Sequence, residues 1–275
     1  MIPSSTGEGT RRVTKLWILV GLALACALGL LLVGEIQQDP GYHNFADRRA
    51  RWGLPNFGDV ASNLPFFLVG VIGLVRAGNA AISAAERIER TYWRVLFGAI
   101  IGISIGSATY HLEPTNEGLV WDRLPMAIAF MSLFTLVVHR HIGTRVAARI
   151  FPVLLAAAVA SIVIWRLGSR EGGGDLRLYV FVQFFPIVAL PTILVLFPTN
   201  RKGTLQLIGA LLAYALAKAL ELGDAVVLET VGVVSGHTLK HLSAALGTWF
   251  LVLMMCAGGV QESGGSPQNS CGDPR

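Results

Sequence analysis

Residues 107–126 read SATYHLEPTNEGLVWDRLPM, and the reading of this stretch decides the fold. An apolar run closes on His111, a short polar connection follows, and a second apolar run opens on Asp122, eleven residues after the histidine. Ser107 and His111 are four residues apart, so on a helix they share a face. Two apolar helices joined by so short a connection run antiparallel, with Ser107, His111 and Asp122 held at one end of the pair.

Working outward, the rest of the chain has the same apolar character. Of 275 residues, 53% are hydrophobic and 14% charged, whereas soluble domains carry about 25% charged residues. This balance excludes an ordinary soluble domain and implies an integral membrane protein, an all-α polytopic helical bundle. A spanning helix needs about 20 apolar residues, and eight such runs are expected at 16–34, 57–77, 93–111, 122–138, 148–165, 178–197, 203–221 and 238–258. Pro186 and Pro191 are expected to kink the sixth, and Gly172, Gly173 and Gly174 to form a loop before it. Residues 1–15 read as a polar N-terminal tail and 259–275 as a disordered C-terminal tail. The first run follows Arg11, Arg12 and Lys15 and resembles a twin-arginine signal, but no small-residue cleavage site follows it, so it is read as a retained helix. Cys26 and Cys256 lie in apolar runs and Cys271 in the tail, with no spacing for a disulfide framework or a thiolate metal site.

The net charge of +5 is read as basic cytoplasmic loops rather than as nucleic-acid binding. With eight alternating spans, thirteen Lys and Arg fall on the side bearing the N-terminus and eight on the other, Arg123 and Lys240 among the eight. The positive-inside rule then places both termini in the cytoplasm and the opposite ends of the helices outside it.

That topology brings the unusual residues together. Asp59, Ser62 and Asn63 open the second run, Ser107 and His111 close the third, Asp122 opens the fourth, and His237 and His241 open the eighth. All lie at one depth on the extracytoplasmic side. His237 and His241 are four apart and share a helical face. Three imidazoles can bind Zn²⁺ and leave a fourth position for water. The plainer reading is that a membrane histidine is an interhelical hydrogen-bond partner. His43, His139 and His141 fall in loops and need no special role. Lys218, Glu221 and Asp224, at i,i+3 spacing, are either a self-neutralising network or an intramembrane charge relay. Asp47, Asn56 and Asp59 offer hard oxygen donors suited to Ca²⁺; equally, Asp59 can serve as a helix-start charge.

The combination SATYH, DRLPM and HTLKH (residues 237–241) resembles the alkaline ceramidase family, whose superfamily includes the progestin and adiponectin receptors. SNLPFFLVGVIG (62–73) resembles the family's first core helix. The resemblance covers roughly residues 40–258 and implies seven core helices, with 16–34 as an added N-terminal span, in a protein of bacterial style. It implies that His111, His237 and His241 bind zinc, that Ser107 and Asp122 flank the nucleophilic water as catalytic residues, and that the substrate is a membrane lipid amide, ceramide being cleaved to a sphingoid base and a fatty acid. One departure stands out. The segment that carries an acidic calcium site in eukaryotic members is arginine-rich here, leaving Asp47 and Asn56 as its remnants. An adiponectin-receptor-like sensor with structural zinc and a proton-coupled transporter are the alternatives.

Overall fold

The computed structural model describes residues 5–78, 84–168, 174–200 and 202–259. They form ten α-helices: α1 (Ser5–Val33), α2 (Phe57–Ala61), α3 (Leu64–Ala77), α4 (Ala84–Leu112), α5 (Asn116–His141), α6 (Thr144–Gly168), α7 (Arg177–Leu196), α8 (Thr204–Leu222), α9 (Asp224–Val231) and α10 (Gly236–Gly259). Among the described residues there is no strand, only an isolated bridge between Arg51 and Leu54. Eight segments are long and apolar enough to cross a membrane: α1, the α2–α3 pair, α4, α5, α6, α7, α8 and α10. The protein is therefore an all-α polytopic bundle. Helices suit this setting because each satisfies its own backbone donors and acceptors where no water is present.

The helices outrun the apolar stretches from which they were expected. α4 begins at Ala84 rather than 93 and α5 at Asn116 rather than 122. The added turns are polar, which hydropathy does not register. Thr115 caps α5 by accepting from the Gly118 N–H at 3.0 Å. At the other end, α5 extends through His139 and His141, which were expected in a loop. There His139 Nε2 lies 3.3 Å from Glu89, and Glu89 also pairs with Arg140 at 2.7 Å. The second run is split at Ser62–Asn63 into α2 and α3. α7 continues through both Pro186 and Pro191. Gly172, Gly173, residues 1–4 and the tail after Gly259 lie outside the described residues.

The most extensive contacts join α4 to α5 and α8 to α10, followed by α3 with α4 and α5 with α6. Trp93, Phe97, Ile100, Leu136 and Ile193 fill one part of the core, and Tyr110, Leu119, Ile162 and Trp165 another. The outer faces carry exposed apolar side chains such as Leu24, Val75, Leu167, Val195 and Leu212, as expected of surfaces that meet lipid. α1 packs along α7. It is tied there by Arg12 donating to the Ile142 carbonyl and by Lys15 over the Phe197 ring.

At Gly106 the backbones of α4 and α5 approach so closely that a Cβ would overlap the Trp121 carbonyl oxygen. Pro125, four residues on, lacks the N–H that would bond that carbonyl within the helix. The same contact brings Asp122 up to α4 next to Ser107: a Cβ on Gly106 would lie 3.1 Å from the Asp122 backbone nitrogen.

Candidate metal centre

The end of α4, the α2–α3 turn and the start of α10 converge at one end of the bundle. His111, His237 and His241 are all buried. Their ligand-capable nitrogens lie within 4.8 Å of one another. His111 Nε2 and His237 Nε2 stand 3.3 Å apart. Two imidazole nitrogens on one tetrahedral metal, each at about 2.0–2.1 Å from it, stand about 3.3–3.4 Å apart. This edge of the cluster therefore already has the spacing of a ligand pair. Among the described residues, these three histidines are the group that could hold a metal ion.

Surrounding groups orient the rings. Ser62 Oγ donates to the Asp59 carbonyl at 3.2 Å and lies 2.8 Å from His241 Nδ1. With its proton spent on Asp59, the hydroxyl can only accept from His241, which puts the imidazole proton on Nδ1 and leaves Nε2 as the ligand atom. Phe45 packs edge-on against His111 and His237, with ring centroids 4.6 and 4.8 Å apart. Asp224 fixes both pieces: one oxygen accepts from the His237 N–H at 2.7 Å and the other from the Ala46 N–H at 3.0 Å. The start of α10 can sit this close only because residue 236 is glycine; a Cβ there would lie 2.7 Å from Asp224 Cα.

Ser107 lies beside the Asp122 carboxyl. Both are buried, and together with His241 they line a cavity of ≈ 330 Å³ whose walls are otherwise mostly apolar, with Leu96, Ile100, Leu133, Leu190 and Leu251 among them. That volume lies in the range of small-molecule sites. The polar end of α4, the first turns of α5 and α10, and a large apolar cavity thus form one continuous site.

Each calcium candidate has a protein partner. Asp47 holds the Arg49 guanidinium with both oxygens at 2.7 Å, and this hydrogen bond keeps its carboxyl below the usual carboxylate range. The Asn56 amide donates to the His111 carbonyl at 2.7 Å, and Asp59 accepts from Thr238 at 2.7 Å. These three residues brace the centre from outside. The acidic group of α8 and α9 divides. Glu221 pairs with Lys218 at 2.6 Å and with Lys240 at 2.9 Å, while Asp224 serves the backbone as described.

Two cations counted as loop charges in the sequence lie inside. Lys240 Nζ is 3.1 Å from His237 Nε2, and Arg123 is buried on the cavity wall. A metal on His237 Nε2 would use the lone pair now facing Lys240, leaving that ammonium to Glu221. The signal for Lys240 was its place three residues after His237 on the same helix; for Arg123 it was its position within the apolar α5 pattern, next to Asp122.

Comparison with family models, with curated proteins and with solved structures found no match to this chain.

Proposed function

We propose that the protein is a zinc-dependent membrane amide hydrolase acting on a lipid N-acyl amide, with ceramide as the leading candidate substrate. The observation that carries this reading is a buried group of three histidines, one of which, His241, lines the same mostly apolar cavity as Ser107 and Asp122. The resemblance of SATYH, DRLPM and HTLKH to the alkaline ceramidases points the same way. Held by His111, His237 and His241, zinc would supply a Lewis acid and a water that is nucleophilic near neutral pH. Asp122 accepts the proton of the attacking water and passes it to the leaving nitrogen. Ser107, beside Asp122 on the cavity wall, gives its donor to the developing oxyanion. The apolar wall receives the acyl chain. On the charge count, the termini lie in the cytoplasm and the centre faces the other side.

The test is metal analysis of the purified protein together with a mass-spectrometric assay over a panel of lipid amides, with and without chelator. Stoichiometric zinc and chelator-sensitive hydrolysis are expected. His111→Ala should lose both. Ser107→Ala should keep zinc and lose about 10²–10³-fold in turnover, as for removal of one oxyanion donor. Full activity and stoichiometric metal in His111→Ala would refute the proposal. Zinc without hydrolysis of any amide would favour a sensor, and metal-independent ion flux in proteoliposomes a transporter.

A further inference from the structure

Arg123 is an unusual residue to find on the wall of this cavity. It is only 5% exposed, and its Nη1 has no hydrogen-bond partner. Three aromatic rings surround the guanidinium: Tyr42, Trp165 and Tyr179, with centroids 5.1, 4.9 and 5.2 Å from its central carbon. Cation–π contacts offset part of the cost of burying the charge. They bring no counter-charge to the guanidinium. Buried charges are ordinarily paired.

The cavity's own acids are engaged elsewhere. Among the described residues lining it, the carboxylates are Asp122 and Glu221. Asp122 lies beside Ser107, and Glu221 takes both Lys218 and Lys240. Arg123, Lys218 and Lys240 thus face two carboxylates, which leaves one positive charge in excess on the cavity wall. A metal on the histidines would add to that surplus. Tyr42, Arg123 and Tyr179 all line the cavity itself, so the guanidinium borders a ligand inside the bundle.

We propose that the cavity binds lipids carrying an anionic group, a carboxylate or phosphate, and that Arg123 receives it as a charge-assisted, fork-like contact. The position of that group rests on the hydrolase reading. Asp122 serves the leaving nitrogen, and with Arg123 lining the same cavity the anionic group is assigned to the amine side of the substrate. The acidic group adds affinity, so that among lipid amides of the same chain length N-acyl amino acids bind more tightly than neutral counterparts.

The experiment compares N-lauroylglycine with N-lauroylethanolamine, which share the chain and the amide but differ in charge. Binding to the full-length protein in nanodiscs is measured by calorimetry, and hydrolysis is measured separately. The acidic lipid should bind about tenfold to a hundredfold more tightly, the range expected for hydrogen bonds to a charged group. Arg123→Gln should bring the ratio of the two affinities to near one, and Arg123→Lys should restore part of it. Zinc content, read in parallel, reports whether each variant keeps the site folded. Equal affinities in the wild type, no binding of either lipid, or a parallel loss of both in Arg123→Gln would overturn the inference. Free laurate that binds with the same dependence on Arg123 would move the anion to the acyl side and overturn the amine-side assignment. Charge-selective binding without hydrolysis would sustain the anion site and remove the hydrolase reading; hydrolysis without charge selectivity would do the reverse.

Discussion

Replacing Gly106 with alanine tests how the site is assembled. An alanine Cβ would lie 2.6 Å from the Trp121 carbonyl carbon and closer still to its oxygen, where ordinary contact begins at 3.4 Å. The backbones of α4 and α5 must therefore separate by at least about 0.8 Å. The obstacle is main chain, which cannot rotate away. Overpacking of this kind costs about 1–3 kcal/mol. The same separation acts on Ser107 and Asp122, and a misplacement of about 1 Å can cost about 10²-fold in rate. Gly98 supplies the control. It lies on the same helix, and an added methyl there would meet nothing within 4 Å. Alanine at that position gains helix propensity of up to about 1 kcal/mol. Thermal unfolding in detergent should thus show Gly98→Ala at or above the wild-type midpoint and Gly106→Ala below it. Lipid amide turnover should fall about 10²-fold in Gly106→Ala alone. If the two variants matched in midpoint and turnover, the α4–α5 contact would not be what positions Ser107 against Asp122.

Ser62→Ala removes the acceptor for His241 Nδ1, and loss of such an orienting group typically lowers metal affinity about 10–100-fold; competition with a graded chelator would read this, and an unchanged affinity would show that Ser62 does not set the ring. Asp47 is held below the usual carboxylate range by Arg49. Its contribution to stability is therefore present above that range and is lost as pH falls through the depressed value. Asp47→Asn should unfold earlier than wild type near neutral pH and converge with it in acid; parallel curves at all pH values would contradict the pairing.

A membrane bundle and the residues of its centre were legible in the sequence because both depend on short-range regularities. Runs of about 20 apolar residues announce spans. The i,i+4 spacing puts Ser107 with His111 and His237 with His241 on common faces whatever the fold. Alternation of spans then sends those faces to the same end. The failures share a cause as well. Hydropathy treats a polar helical turn as loop, so the extra turns of α4 and α5, and α9 as a separate helix, went unseen. A count of charges cannot tell a cation facing water from one turned inward.

What the sequence by itself determined is therefore the membrane setting, the spans and the depth at which the histidines lie. Only the tertiary structure decided which groups touch. It set His111 Nε2 3.3 Å from His237 Nε2, gave His241 to Ser62, and diverted Asp47 and Asp59 to Arg49 and Thr238. It also turned Lys240 and Arg123 into the cavity. Period and hydropathy fix a residue's face and depth along its own helix, but the partner across an interface depends on how closely two helices can approach. Here glycines permit that approach: Gly106 between α4 and α5, and Gly236 where α10 meets Asp224.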